Sequence, residues 1–202
     1  KSRVVQLIPR LFDPVEGKVL LDGNDLKKWS ISKLREAIGF VPQETFLFSD
    51  TIGNNIAFGV DKASESEIEN AADKAQVKDN ILEFEKQFQT MLGERGITLS
   101  GGQKQRTAIA RALIKDPRIL IFDDSLSAVD TKTEEAILQH LRQELSGRTT
   151  IMISHRISTI KDADKIYYLE EGQIVETGTH ETLLAKDGRY KAMYNKQMLE
   201  QE

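Results

Sequence analysis

The sequence contains no cysteine. That excludes disulfides and cysteine-ligated zinc. No run approaches the roughly 18 consecutive apolar residues that a membrane-crossing helix needs. The densest patches, Ile119–Phe122 and Ile151–Ile153, are strand-sized. The opening residues read as a helix rather than as a signal peptide. There is no basic excess either: the net charge is −4, which is not the electrostatic footprint of a nucleic-acid binder, and no nucleic-acid partner is expected. What is present is 39% hydrophobic and 30% charged residues in a chain of 202. That suits one folded domain with room for an inserted lobe, and the cytoplasm is its natural compartment.

Val4, Val5, Leu7, Ile8, Leu11 and Phe12 recur at helical spacing, and Asp13-Pro14 stops the predicted helix. Residues 17–23 and 38–43 read as strands bounded by turn residues, with a short helix between them. From about 46 to 112 the texture is helical. Ser64 and Glu67 form a capping box ahead of the stripe Ile68, Ala71, Ala72, Ala75. Residues 77–88 and 104–115 predict two more helices. After Pro117 come continuous apolar strands at 118–122 and 149–154, with a helix over 133–145 between them. Apolar strand, helix, apolar strand predicts an α/β fold with a covered parallel sheet. A hairpin over 165–178, turning at Glu171-Gly172, and two helices close the chain.

In a parallel α/β sheet, ligands sit beyond the carboxyl ends of the strands. Asp123, Asp124 and His155 each follow an apolar strand, and Gln43 ends another. Each alone has an ordinary explanation as a turn or cap residue; their joint placement points to one crevice. Lys1-Ser2 opens a helix, as the last two residues of G-x-x-x-x-G-K-[ST] do. In that loop amides cradle phosphate, the lysine reaches it, and the hydroxyl meets Mg²⁺. The stretch Leu99-Ser100-Gly101-Gly102-Gln103 offers open glycine backbone and a helix N-terminus, which favours an anion. A glycine-rich loop before a helix is common, but not with Asp123 and His155 following at these intervals.

With these motifs in this order, the chain resembles the nucleotide-binding domain of an ABC transporter over essentially its whole length. Residues 99–103 match the family signature, Gln43 the Q-loop, Asp123 the Walker B aspartate, Ser127–Asp130 the D-loop and His155 the switch histidine. Residues 44–56 and 93–96 resemble ABC exporters. The resemblance implies a P-loop NTPase (RecA-like) core with a parallel sheet, formed by 1–45 and 113–202, and an inserted α-helical subdomain over 46–112. It implies ATP and Mg²⁺ as ligands. Lys1, Ser2, Ser100, Gly101, Gly102, Gln103 and Asp130 would contact nucleotide; Ser2, Gln43 and Asp123 would serve the metal. Asp124, His155 and Gln43 would serve hydrolysis. It also implies a second nucleotide-binding domain, docked head to tail, and transmembrane domains at the cytoplasmic face of a membrane. Two alternatives stay open: an ATP-held clamp without turnover, and a soluble ATPase of this type unconnected to transport. A small-molecule kinase would lack the signature. Because Lys1-Ser2 is only the tail of the phosphate loop, the expectation is a longer chain with membrane helices ahead of it, and weak ATP binding by these residues alone.

The sequence departs from the family pattern at Asp124, where glutamate is usual, at Arg3, where threonine is usual, and mildly at Val129. Aspartate ends one methylene, about 1.5 Å, further back. A general base must come within about 2.6–3.2 Å of its proton or act through water. Both larger departures fall in one ATP site, while the signature is intact. That asymmetry suits a heterodimer in which this chain holds a slow site and completes a competent one on a different partner; the alternative is a homodimer with slow but real turnover. Asp124→Glu is expected to raise ATP turnover at this chain's own site by on the order of 10²-fold. Steady-state ATPase of the full-length protein checks this, and no gain would remove the reach argument.

Overall fold

The computed structural model describes residues 1–93, 99–126, 129 and 131–200. The chain divides into a larger unit, Ser2–Met152, and a smaller one, Ile153–Glu202 with Lys1.

In the larger unit, α1 (Ser2–Gln6) is shorter than the apolar spacing predicts. Pro9 biases its predecessor away from helix. The chain leaves α1 through tighter turns, in which Leu7 N donates to Val4 O (3.3 Å) and Ile8 N to Val5 O (3.2 Å). The strand expected over 17–23 is reduced to β1 (Leu20–Leu21), paired antiparallel with β2 (Asn24–Asp25). Asp22 and Gly23 between them have φ of 49° and 76°, the backbone that a two-residue hairpin turn requires. Then come α2 (Ile31–Glu36) and β3 (Ile38–Val41).

The helical stretch comprises α3 (Ile52–Ala57), α4 (Glu65–Lys74), α5 (Lys78–Leu82) and α6 (Gly101–Leu113). The Ser64–Glu67 capping box at α4 forms as expected. The helix expected over 77–88 ends at Leu82 as α5. Beyond it the chain is drawn against the start of α3, where Ile52 N donates to Thr90 O and Leu92 N to Asp50 O, each at 3.0 Å. Long-range pairing here overrides helical propensity.

After α6 follow β4 (Ile119–Asp123), α7 (Thr131–Leu145) and β5 (Thr149–Ile153). The strands form one sheet of order β3-β4-β5, with β3 and β4 parallel. Every residue of β4 is buried, which is why that strand reads as a continuous apolar run. A single core links it to the helices through Val41, Ile109, Leu120, Phe122, Ile137 and Leu141.

The smaller unit holds α8 (Ile157–Ile160), the hairpin β6 (Ile166–Glu170) and β7 (Gln173–Gly178), α9 (His180–Ala185) and α10 (Arg189–Leu199). Its own core gathers Ile157, Ile166, Leu183 and Tyr190. Among the described residues no helix is long and apolar enough to cross a membrane.

Gly39, in the middle of β3, shows how tightly this sheet is covered. A Cβ there would meet Leu120 Cδ2 at 2.8 Å, Pro117 Cγ at 2.9 Å and the Ala112 carbonyl oxygen at 3.0 Å. Alanine normally improves a strand over glycine, so the sign should reverse here. Gly39→Ala is expected to destabilise the domain by about 1–3 kcal/mol through overpacking, read as a lowered midpoint in chemical denaturation.

Candidate functional site

The register of β3 on β4 builds the site. Val41 lies opposite Phe122, so Gln43 and Asp124, each two residues further on, leave the sheet side by side. Gln43 Nε2 lies 3.4 Å from Asp124 Oδ2. Asp123, the last residue of β4, is 2% exposed. A buried carboxylate needs hydrogen-bonding partners, and Ser2 supplies one: its Oγ donates to Asp123 Oδ1 at 2.8 Å. The first turn of α1 is thus tied to the end of the central strand. Ser2, Gln43, Asp123 and Asp124 therefore converge.

Asp124 adopts a left-handed backbone, φ 47°. Asparagine and aspartate visit that region most readily among residues with a side chain. Glutamate at this position would gain reach but lose some backbone comfort. The short carboxylate thus has a conformational reason as well as a chemical consequence.

The donor set fits Mg²⁺. A hydroxyl, a carboxylate and a side-chain amide are hard oxygen ligands, and Mg²⁺ takes one or two protein groups alongside phosphate and water. Among the described residues no group of three or more histidine, cysteine or acidic side chains gathers to cage a metal alone. Phosphate and water oxygens would have to complete the shell.

The signature segment sits at the N-terminus of α6. Ser100 is its N-cap in a capping box: Ser100 Oγ accepts from Gln103 N (3.3 Å), and Gln103 Oε1 accepts from Ser100 N (2.9 Å). Gln103 is therefore engaged in holding the cap. The box leaves the amides of Gly101 and Gly102, the first two helical residues, without a partner inside the helix. His155 and Lys1 belong to the smaller unit, and both are exposed. Asp130, with Ser127 and Ala128 of the D-loop match, lies outside the described residues. So do residues 94–96 of the exporter-like loop. Arg3 is exposed, with its guanidinium carbon 4.7 Å from the centre of the Phe12 ring.

Sequence reading missed a polar cluster beyond Gln43. Arg111 of α6 donates from Nε to Asn55 O (2.7 Å), from Nη1 to Phe46 O (2.9 Å) and from Nη2 to Asn55 Oδ1 (2.9 Å). Asn55, 1% exposed, closes the network by accepting from Phe48 N at 2.8 Å and donating to Phe48 O at 3.0 Å. Burial lowers the Arg111 pKa to about 10, which leaves it charged at neutral pH. The same guanidinium lies 5.6 Å and 5.7 Å from the Phe48 and Phe58 rings. Phe46 (54%), Phe48 (37%) and Phe58 (54%) remain exposed. The one available signal was a charge set within a run of residues, 107–113, that is otherwise buried.

The model of the ABC transporter family matches residues 1–127. An ATM1-type heavy metal exporter of Novosphingobium aromaticivorans is 48% identical over 200 residues, which is 99% of this chain and 33% of that protein. An ATP-dependent lipid A-core flippase of Syntrophus aciditrophicus is 46% identical over 200 residues, again 99% and 33%. A mitochondrial iron-sulfur clusters transporter of Candida glabrata is 48% identical over 197 residues, 96% of this chain and 27% of that protein. The chain thus spans about a third of the length of such relatives. A solved structure of a bacterial Atm1-family ABC exporter with ATP bound superposes with a TM-score of 0.95 at 48% identity, covering 98% of this chain and 35% of that one.

Removing the Asn55 side chain would leave a half-buried guanidinium nitrogen and the Phe48 amide short of a partner. Asn55→Ala is expected to cost on the order of 3 kcal/mol of stability. Urea denaturation of the variant beside wild type checks it.

Proposed function

The chain belongs to the ABC transporter family, as an exporter-type nucleotide-binding domain of the ATPase class, and from that premise we propose that it drives export by binding and hydrolysing ATP. The observation that carries this reading is the convergence of Ser2, Gln43, Asp123 and Asp124 where β3 and β4 end. In this reading 1–45 and 113–202 form the ATP-binding core and 46–112 the signature subdomain.

Ser2, Asp123 and Gln43 would hold Mg²⁺. When bound, it neutralises charge on the phosphate oxygens. Lys1 adds a positive charge towards the same phosphates. Gln43 orients the attacking water through its amide, and Asp124 takes the proton of that water through a second water, because its side chain is short. His155 senses the γ-phosphate by donating a hydrogen bond to it. The open amides of Gly101 and Gly102, with Ser100, serve the phosphates of a second nucleotide-binding domain docked head to tail, and Asp130 acts across that interface. The exposed rings of Phe46 and Phe48, a few residues beyond Gln43, and of Phe58 are the face offered to transmembrane domains. The setting is the cytoplasmic side of a membrane. The names of the relatives cite different cargoes, so none carries over to this chain.

The left-handed, short Asp124 favours a finer form of this reading for the chain's own site: it turns over slowly while the signature completes a faster site on a different partner. The test uses the full-length protein alone and with the transporter half encoded beside it. Slow ATPase alone should rise on adding the partner. Ser100→Arg in this chain should abolish that rise, while Asp124→Asn should spare most of it. Strong activity of the protein alone, abolished by Asp124→Asn, would instead make this an ordinary homodimeric exporter. ATP binding without turnover in every combination would leave the clamp.

A further inference from the structure

We infer that Gln197, near the end of α10, is a positioning residue for His155, acting through the backbone on either side of it. The inference rests on the switch role proposed for His155 above.

His155 lies between the end of β5 and α8. Arg156 is the N-cap of α8 and makes no side-chain cap. Yet Ile157 opens that helix, is 3% exposed, and carries an amide that needs an acceptor. Gln197, forty-two residues from His155 in sequence, meets both needs with one carboxamide. Its Nε2 donates to His155 O at 2.5 Å, and its Oε1 accepts from Ile157 N at 2.9 Å. The side chain thus behaves as a short piece of strand. It pairs with the backbone before and after Arg156, and it supplies α8 with the cap that its own sequence lacks. Ser154 Oγ adds a second brace by accepting from Arg156 N at 2.9 Å.

The far end of α10 is itself tied down. Tyr190 is 1% exposed in the core of the smaller unit, and its hydroxyl lies 2.8 Å from His180 Nδ1. Glu176 of β7 accepts from Arg189 N at 2.5 Å and from Tyr190 N at 3.2 Å. Gln197 therefore reaches the His155 segment from a helix anchored at its start. Any change that shifts the end of α10 would be felt at the His155 backbone, though no residue of α10 need touch nucleotide.

The test uses the full-length protein with two variants. Gln197→Leu keeps the shape and removes both bonds. Gln197→Glu keeps the acceptor for Ile157 N and removes the donor to His155 O. Gln197→Leu should speed amide hydrogen exchange across 154–158 by about tenfold, with little change in thermal midpoint. It should also lower kcat for ATP severalfold while KM stays within about twofold, as expected when orientation rather than ground-state binding is lost. Gln197→Glu should keep Ile157 protected and still lower kcat. Wild-type exchange in Gln197→Leu would overturn the inference. So would faster exchange with an unchanged kcat, which would make Gln197 a helix cap and nothing more. If wild type itself shows no ATP turnover, the proposed function fails, and the exchange rates still decide whether Gln197 braces the His155 backbone.

Discussion

The parallel pairing of β3 with β4 is the constraint on which the rest of the larger unit depends. Parallel strands end on the same side, and their register decides which residues leave the sheet together. Here Val41 faces Phe122. One residue of slip would turn the side-chain alternation over and send Gln43 and Asp124 apart. Gly39 guards that register, because its missing Cβ is the space that Leu120, Pro117 and the end of α6 occupy. Packing against a bare backbone and alignment of a polar pair are therefore two effects of one arrangement.

Polar groups enter this apolar interior under strict terms. Asp123 ends a wholly buried strand and is met by a hydroxyl from α1. Arg111 is met by two carbonyl groups and the Asn55 side chain. In both cases one polar side chain, buried at Asp123 and half-buried at Arg111, joins segments far apart in sequence. Such groups contribute little net stability when paired and cost much when one partner is lost. What they confer is geometry. Asp123 holds α1 to the site. Arg111 and Asn55 hold the loop carrying Phe46 and Phe48 against α6, the helix whose other end presents the signature.

Asp124 is the point where local backbone and chemistry meet. Its left-handed φ suits aspartate, and its side chain is one methylene shorter than glutamate's. In the proposed function these two facts give one chain a slow site and an intact signature. His155, in the smaller unit, is held by different means: its carbonyl and the amide of Ile157 both bond to Gln197 at the end of α10.

Much of this was legible from the residues. Ser64 with Glu67 announced a cap, the run Ile119–Phe122 announced a buried strand, and Glu171-Gly172 announced a hairpin turn, because each depends on neighbours along the chain. The motif residues Gln43, Asp123, Ser100–Gln103 and His155 were legible for the same reason, each set at the end of an element whose period is written locally. Local pattern did not reveal that α1 stops at Gln6 or that the helix over 77–88 breaks at Leu82. It did not reveal the roles of Asn55, Arg111 and Gln197 either. Those outcomes rest on partners tens of residues away. A side chain's hydrogen bonds across such distances have no periodicity to read, and only the folded chain decides which donor meets which acceptor.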